Sequence, residues 1–472
     1  MKRSIKIIYV IVFTAVCCMP LLLMPFFSSD EPVGNEQPAK APELISDSDL
    51  NKNFSDEFNL WFTQSMPFRA EMITAKNKVD SGILGQNANN VIVGRDGWLY
   101  TEESAADYIG DTLSSREIHN IAGTVRIMQK YAEQNGCRFV FTVAPDKNTI
   151  YPEYMPSGYT GGNITNLQLL EQELAGLNVN YVDLRSMLLR HKENGEELYL
   201  RTDTHWNNLA ALYSYNEIEN ALDKEHKTYS GASFEIRNDW VGDLSKMLYP
   251  SDPVMCSQYY FDIEYQDYRF VKPKKASMTN DEIMKELMSD KETMDTIIQT
   301  RNSKGSGSVY VSRDSFFRSM LPFFTDNYKT TYITRYRDMD LLNIDAAGYD
   351  DIIYEMVERK LDTITDTRPG VYAPSVESVS GTELLPDDRN IIKTEKTDNG
   401  WLVYGILDKD KVKDDDNIYI ALSDGKSKTF YEAFPITECE RLSCEKSEYG
   451  FSALIRDDDA GADHISVWLS PQ

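Results

Sequence analysis

Two short stretches of this 472-residue chain hold the side-chain types needed for nucleophilic chemistry. The first is Thr202-Asp203-Thr204-His205-Trp206-Asn207, ahead of an apolar stripe at Ala211, Tyr215, Ile218 and Leu222 that keeps helical spacing. A carboxylate and an imidazole two residues apart at a helix mouth can hydrogen-bond directly. The carboxylate then fixes the tautomer, and the far ring nitrogen is left to accept a proton. The second is Arg313-Asp314-Ser315-Phe316, between the β-rich run 308–311 and a helical pattern at Phe316, Met320, Phe323 and Phe324. A serine at a strand-to-helix turn has its hydroxyl exposed, with outward-pointing helix N–H groups that can hold an oxyanion. Each stretch alone reads equally as a helix cap. Taken together they supply Asp203 as orienter, His205 as base and Ser315 as nucleophile, in that chain order.

Such residues can meet only if the elements around them share one sheet. Ser114 and Glu117 form a capping-box pattern, Ile118, Ile121, Val125, Met128 and Ala132 keep helical spacing, and Gly136 supplies the stop, so a helix of about 20 residues is expected. A buried strand follows at 139–144, ended by Pro145. Similar runs recur at 179–182, 308–311, 331–334 and 352–357, with helical patterns between most of them. Strands alternating with helices predict an α/β domain on a parallel sheet, with ligands beyond the strands' carboxyl ends. A hairpin is expected at 90–100 around Arg95-Asp96-Gly97, and a short amphipathic helix at 54–69.

Around this core the chain divides into residues 1–27 as a membrane anchor, 28–43 as a flexible stalk, 44–366 as the chemical domain, 367–389 as a linker and 390–472 as a small β-sandwich. Within the chemical domain, 227–306 loses periodicity and reads as an insertion or lid, or as a surface excursion without a role, with one helical stretch at 280–300. The anchor rests on Lys2, Arg3 and Lys6 followed by an apolar run at 7–27, which as a helix spans about 30 Å, a bilayer core. The positive flank would stay in the cytoplasm, leaving the rest extracytoplasmic. A cleaved signal peptide is the alternative. The tail, with short strands at 401–406, 418–422, 429–434, 450–455 and 464–469, is either glycan-binding or purely structural.

Composition excludes some partners. With 49 basic against 75 acidic residues the net charge is -26, and the only basic cluster past residue 6 is Lys272, Lys274 and Lys275, so no nucleic acid is expected. A neutral glycan fits better than a polyanion. Six cysteines do not make a disulfide scaffold; Cys439 and Cys444 are either one small-loop disulfide or two thiols. No histidine or cysteine lies at a spacing that would complete a metal site with Asp203 and His205, so neither a metal nor a cofactor is expected.

The ordered set Phe68-Arg69, Val91 to Tyr100, Ala144-Pro145-Asp146-Lys147 with Tyr151-Pro152, Thr202 to Trp206, Asp314-Ser315-Phe316 and Glu358-Arg359 resembles the SGNH-like acyltransferases, typified by the alginate O-acetyltransferase group and the DHHW family. The resemblance covers about residues 54–361. It implies an SGNH-hydrolase-like domain and assigns Ser315, His205 and Asp203 the roles above. Departures are Arg313, where the pattern has glycine, and Thr204, where the DHHW name has a second histidine. The activity implied is an extracytoplasmic serine-dependent O-acetyltransferase acting on an exopolysaccharide or cell-wall glycan, with a multi-spanning membrane acyltransferase handing over the acyl group. A glycan acetylesterase, or an inactive glycan-binding protein, is the alternative. Asp146 and Lys147, after a strand end, and Arg313 are expected to line the substrate cleft; for Asp146 and Lys147 a solvated loop is the other reading. Glu358 and Arg359 are expected to form a structural ion pair.

Overall fold

The structure is a computed structural model; it describes the chain except residues 1, 25, 28–32, 34–38, 47–48, 265–267, 273–277, 289–296, 336–339, 343–347, 386–388, 424–426, 439–441, 443–445, 458–463 and 472. Cys439, Cys444, Lys274, Lys275 and most of the expected stalk lie outside the described residues.

The centre is a seven-stranded sheet. In chain order its strands are β1 (Arg138–Ala144), β2 (Tyr181–Val182), β3 (Tyr268–Lys272), β4 (Ile297–Asn302), β5 (Ser308–Arg313), β6 (Thr330–Arg335) and β7 (Asp351–Val357). Their spatial order is β2-β1-β7-β5-β6-β4-β3. The first five in that order run parallel. β4 pairs antiparallel with β6, and β3 antiparallel with β4. The expectation of an all-parallel sheet is thus corrected to a mixed one: the segment read as an insertion supplies β3 and β4, the two antiparallel strands beside β6.

The sheet is buried on both faces. Phe139, Phe141 and Val143 of β1 point into a core shared with Ile121, Val125 and Met128 of the helix Ser115–Gln134. Val140 and Ala144 point the other way, into a core with Val309, Val311, Ile353, Phe316 and the helix Asn208–Ala221. That alternation follows from the two-residue period of a strand. The helix Ser115–Gln134 carries the capping box at Ser114 and Glu117, and Gly136 follows it at φ +75°. The expected hairpin forms as Val91–Val93 against Leu99–Thr101, with Asp96 and Gly97 both at positive φ. The expected helix at 54–69 is present as Phe54–Gln64, and a second, Arg69–Gly82, begins where it was to end.

A two-sheet sandwich forms the tail, with five strands in one sheet and four in the other around Val403, Ile420, Phe451 and Val467. Two short strands within the expected linker, Ser375–Val376 and Thr382–Glu383, belong to the five-stranded sheet. The sandwich packs on the helix Ser115–Gln134: Phe434 joins that helix's core, and buried Glu432 meets Arg126 and Lys130. A helix spans Lys2–Leu23. Among the described residues, no helix is long and apolar enough to cross a membrane, so the transmembrane reading of 1–27 is not supported by the structure.

Candidate active site

One residue, Asp314, separates Ser315 from the end of β5. Ser315 caps a 3-10 turn, Phe316–Met320, and a short helix, Leu321–Asn327, continues from it with Pro322 in its first turn. The single helical pattern read from 316 onward is therefore split in two, because proline is accommodated at a helix start. Asp314 stabilises the turn by accepting from the Phe316 N–H at 2.7 Å. The Asp314 N–H in turn donates to Glu355 on β7 at 2.9 Å. Ser315 has φ -75°, and Arg313 is not among the positive-φ residues, so the backbone here demands no glycine. The Arg313 side chain is buried, and its guanidinium donates to the Asp314 carbonyl at 2.8 Å.

His205 faces this turn. Its Nε2 lies 2.8 Å from Ser315 Oγ and its Nδ1 lies 2.7 Å from Asp203 Oδ1. A carboxylate can only accept, so Nδ1 carries the proton and Nε2 is free to accept from the hydroxyl. Ser315 and His205 are half-buried, whereas Asp203 is buried. Trp206, fully buried, holds the two segments together: its indole N–H donates to the Phe316 carbonyl at 3.1 Å. The helix that follows is capped by Asn207, whose side chain accepts from Leu209 and Ala210. Asp203 is thereby released from the capping role that its position also suggested.

Asp203 is held by four donors. Oδ1 accepts from the His205 ring and from the His205 N–H at 3.0 Å; Oδ2 accepts from the Trp240 indole at 2.9 Å and the Asp243 N–H at 3.1 Å. Burial disfavours its charge, but the bond and charge of His205 and the Trp240 bond outweigh burial and hold the carboxyl well below the usual range. Trp240 and Asp243 flank Gly242, where a Cβ would lie 2.0 Å from the Thr202 carbonyl oxygen. Only glycine allows this segment to lie directly on the Thr202–Asp203 backbone. Asp243 Oδ1 accepts from the Thr204 N–H at 2.7 Å, and its Oδ2 is 3.8 Å from His205 Nδ1. Asp203, His205 and Asp243 could together reach one cation. Nδ1 is engaged by Asp203, however, and ligation there would break that bond.

The three residues expected to line the cleft are all buried. Lys147 sits beneath the site, its ammonium donating to the Leu99 carbonyl at 2.7 Å and the Arg201 carbonyl at 3.1 Å. Burial pushes it down to about 8, against the charges of Asp203 and Asp243. Asp146 pairs with Arg359, and its N–H donates to Glu358 at 2.8 Å. Glu358 itself is pushed up to about 8 by burial and then by the Asp146 charge. Arg359 therefore pairs with Asp146 and not with Glu358. Glu355, behind the nucleophile turn, is raised well above the carboxylate range by burial and the Asp314 charge. Trp240, Asp243 and Glu355 are the site residues that the sequence did not disclose.

Residues 91–295 match the family described as SGNH hydrolase-like domain, acetyltransferase AlgX. The chain resembles the SGNH-like acetyltransferases. A protein of Pseudomonas syringae pv. tomato named probable alginate O-acetylase AlgJ is 24% identical over 278 residues, 54% of this chain and 63% of that one. Its namesake in Pseudomonas aeruginosa is 27% identical over 165 residues, 34% of this chain and 40% of that one. The chain thus spans less than two thirds of the length of either relative. Among solved structures, a DHHW family protein from Eubacterium siraeum is similar over 58% of this chain and 93% of its own, at 18% identity and TM-score 0.44. The O-acetyltransferase domain of Pseudomonas putida AlgJ is similar over 58% and 92%, at 16% identity and TM-score 0.39. Likeness of that degree bears on neither activity nor substrate.

Proposed function

We propose that this protein is a serine-dependent O-acetyltransferase acting on a polysaccharide. The observation that carries the reading is the line of contacts Ser315 Oγ, His205 Nε2, His205 Nδ1 and Asp203 Oδ1, at 2.8 and 2.7 Å, drawn from segments 110 residues apart. In the reaction the Ser315 hydroxyl adds to the acyl carbonyl of a donor while His205 Nε2 takes its proton. The tetrahedral adduct expels the donor's leaving group, which receives that proton, and an acetyl-serine remains. A glycan hydroxyl then gives its proton to His205, attacks the ester, and departs acetylated as Ser315 regains its hydrogen. Asp203 keeps the imidazole in one tautomer and stabilises the imidazolium formed in each half-reaction.

We further propose an extracytoplasmic site with a multi-spanning membrane acyltransferase as acyl donor. What supports this is the exposure of Ile7, Ile8, Val10, Ile11, Val12 and Phe13 along the helix Lys2–Leu23, apolar side chains that water does not favour. A tether would raise the local concentration of the enzyme beside its donor.

The test is hydrolysis of p-nitrophenyl acetate by the full chain in detergent. Ser315→Ala and His205→Ala are each expected to lose on the order of 10³-fold in kcat/KM. Equal rates in all three proteins would end the enzyme reading. Adding oligosaccharide should divert acetyl groups to sugar, seen as a mass increase; free acetate alone would make the protein an esterase.

A further inference from the structure

A cavity of about 480 Å³ lies against the loop that carries Asp203 and His205. One side is the segment Glu197, Arg201 and Thr202; another is the hairpin of Phe234–Val241 with Met255–Phe261, which presents Ile236, Asn238, Met255, Ser257 and Tyr259. The size falls within the range of ligand sites. The hairpin's outward face is unusual: Ile236, Val254 and Met255 are each more than half exposed, although this part of the chain has apolar cores available nearby. The hairpin is also fixed relative to the chemistry, because it ends on Trp240, whose indole donates to Asp203, and on Gly242, which lies on the Thr202 backbone. A ligand seated there is positioned by the same element that orients the base.

The lining specifies a chemical class. An aromatic ring and aliphatic side chains offer flat apolar surface to sugar faces, and Asn238 and Ser257 offer hydrogen bonds to hydroxyls. The lining residues that are charged at neutral pH are Asp96, Glu197 and Arg201. Arg201 is engaged with Glu197 at 2.7 Å, and the nearby Arg237 stacks 3.4 Å over the Tyr260 ring and faces Asp239. Acids therefore outnumber bases at the lining, on a chain of net charge -26. Arg201 and Glu197 offset each other, so Asp96 sets the sign of the lining, and a run of carboxylated sugars would meet like charge there.

We infer that this cavity is the acceptor subsite and that it takes an uncharged stretch of glycan, unlike the polyuronate alginate in the relatives' names. The inference rests on the transferase reading, and binding measured without turnover separates the two. The full chain carrying Ser315→Ala, in detergent at low salt, is titrated with N-acetylated chitohexaose and with hexamannuronate, followed by saturation-transfer NMR and calorimetry. Chitohexaose is expected to bind, and hexamannuronate at least about tenfold more weakly. Met255→Asp, on an exposed position, and Tyr259→Ala should each weaken chitohexaose binding about tenfold or more. Met255→Asp decides the matter if Tyr259→Ala melts early. Absence of chitohexaose binding, equal or tighter binding of hexamannuronate, or unchanged binding in Met255→Asp would overturn the inference. Loss of the Ser315 dependence of p-nitrophenyl acetate hydrolysis would overturn the chemistry instead.

Discussion

Each oxygen of the Asp203 carboxylate accepts two hydrogen bonds, and this dictates what a change there does. In Asp203→Asn, one half of the amide can still accept from two donors. The NH2 half must point either at the Trp240 indole and the Asp243 N–H or at the His205 Nδ1–H, so donor faces donor in every rotamer. The imidazole then loses its fixed tautomer, and kcat for p-nitrophenyl acetate is expected to fall by roughly 10³ to 10⁴. A fall of less than about tenfold would mean that Asp243, 3.8 Å from the same ring nitrogen, does the orienting. A second residue-scale effect concerns stability. Glu358 is raised from an ordinary 4.5 to about 8, so between these values the folded protein holds a proton that the unfolded chain has released. Its contribution to stability is full below about 4.5 and is lost as pH rises through about 8. Glu358→Gln can still accept from the Asp146 N–H and the Thr149 hydroxyl, so melting temperature should decline less steeply from pH 5 to 8 in the variant than in the parent, followed by circular dichroism. Parallel curves would show that Glu358 is ionised in the fold.

At the scale of elements, the hairpin of Phe234–Val241 and Met255–Phe261 matters to the site because of where its first strand ends. Trp240→Phe keeps a half-buried ring but removes the N–H given to Asp203; a loss of about tenfold in kcat with KM for the ester unchanged is expected. Gly242→Ala would force the end of the first strand off the Thr202 carbonyl and should cost more than Trp240→Phe. The reverse order would place the hairpin's effect in the indole alone. None of this was legible in the sequence. The helix Ser115–Gln134 and strands β1, β5, β6 and β7 were, because their signals are local: a capping box, helical spacing, β-branched runs ended by turns. Asp203, His205 and Ser315 were readable for the same reason, each sitting at a strand or helix boundary. Trp240 and Asp243 act across 37 and 40 residues, from a segment with no periodicity. β4 escaped because the residues it buries, Ile298, Thr300 and Asn302, mix apolar with polar, so its two-residue alternation is masked and the stretch reads as part of a helix. Asp146 and Lys147 were placed at the correct strand end, but nothing local shows that backbone carbonyls rather than solvent receive the Lys147 ammonium.

At the scale of the whole molecule, the β-sandwich is joined to the α/β domain through charge. Glu432 has 1% of its side chain exposed and meets both Arg126 and Lys130, one turn apart on the helix Ser115–Gln134. Arg126 also donates to Asn417 at 2.8 Å, and Arg116 to the Asp416 carbonyl at 2.6 Å, so three basic side chains of one helix face this module. That helix packs directly on the sheet whose strand ends carry the site. Removing the carboxylate leaves two cations facing an interface built around it; a fully buried pair broken in this way costs roughly 3–5 kcal/mol. Lys130 is one third exposed and Arg126 is bonded elsewhere, so solvent and Asn417 take up part of that loss, and about half of it is the reasonable expectation. Calorimetry of the full chain should therefore show a lower or a split transition for Glu432→Ala, with Glu432→Gln in between because it retains volume and one acceptor. If the module merely rested against the helix through apolar contacts such as Phe434, Glu432→Ala would melt with the parent, and the sandwich would have to be regarded as a separately folding passenger.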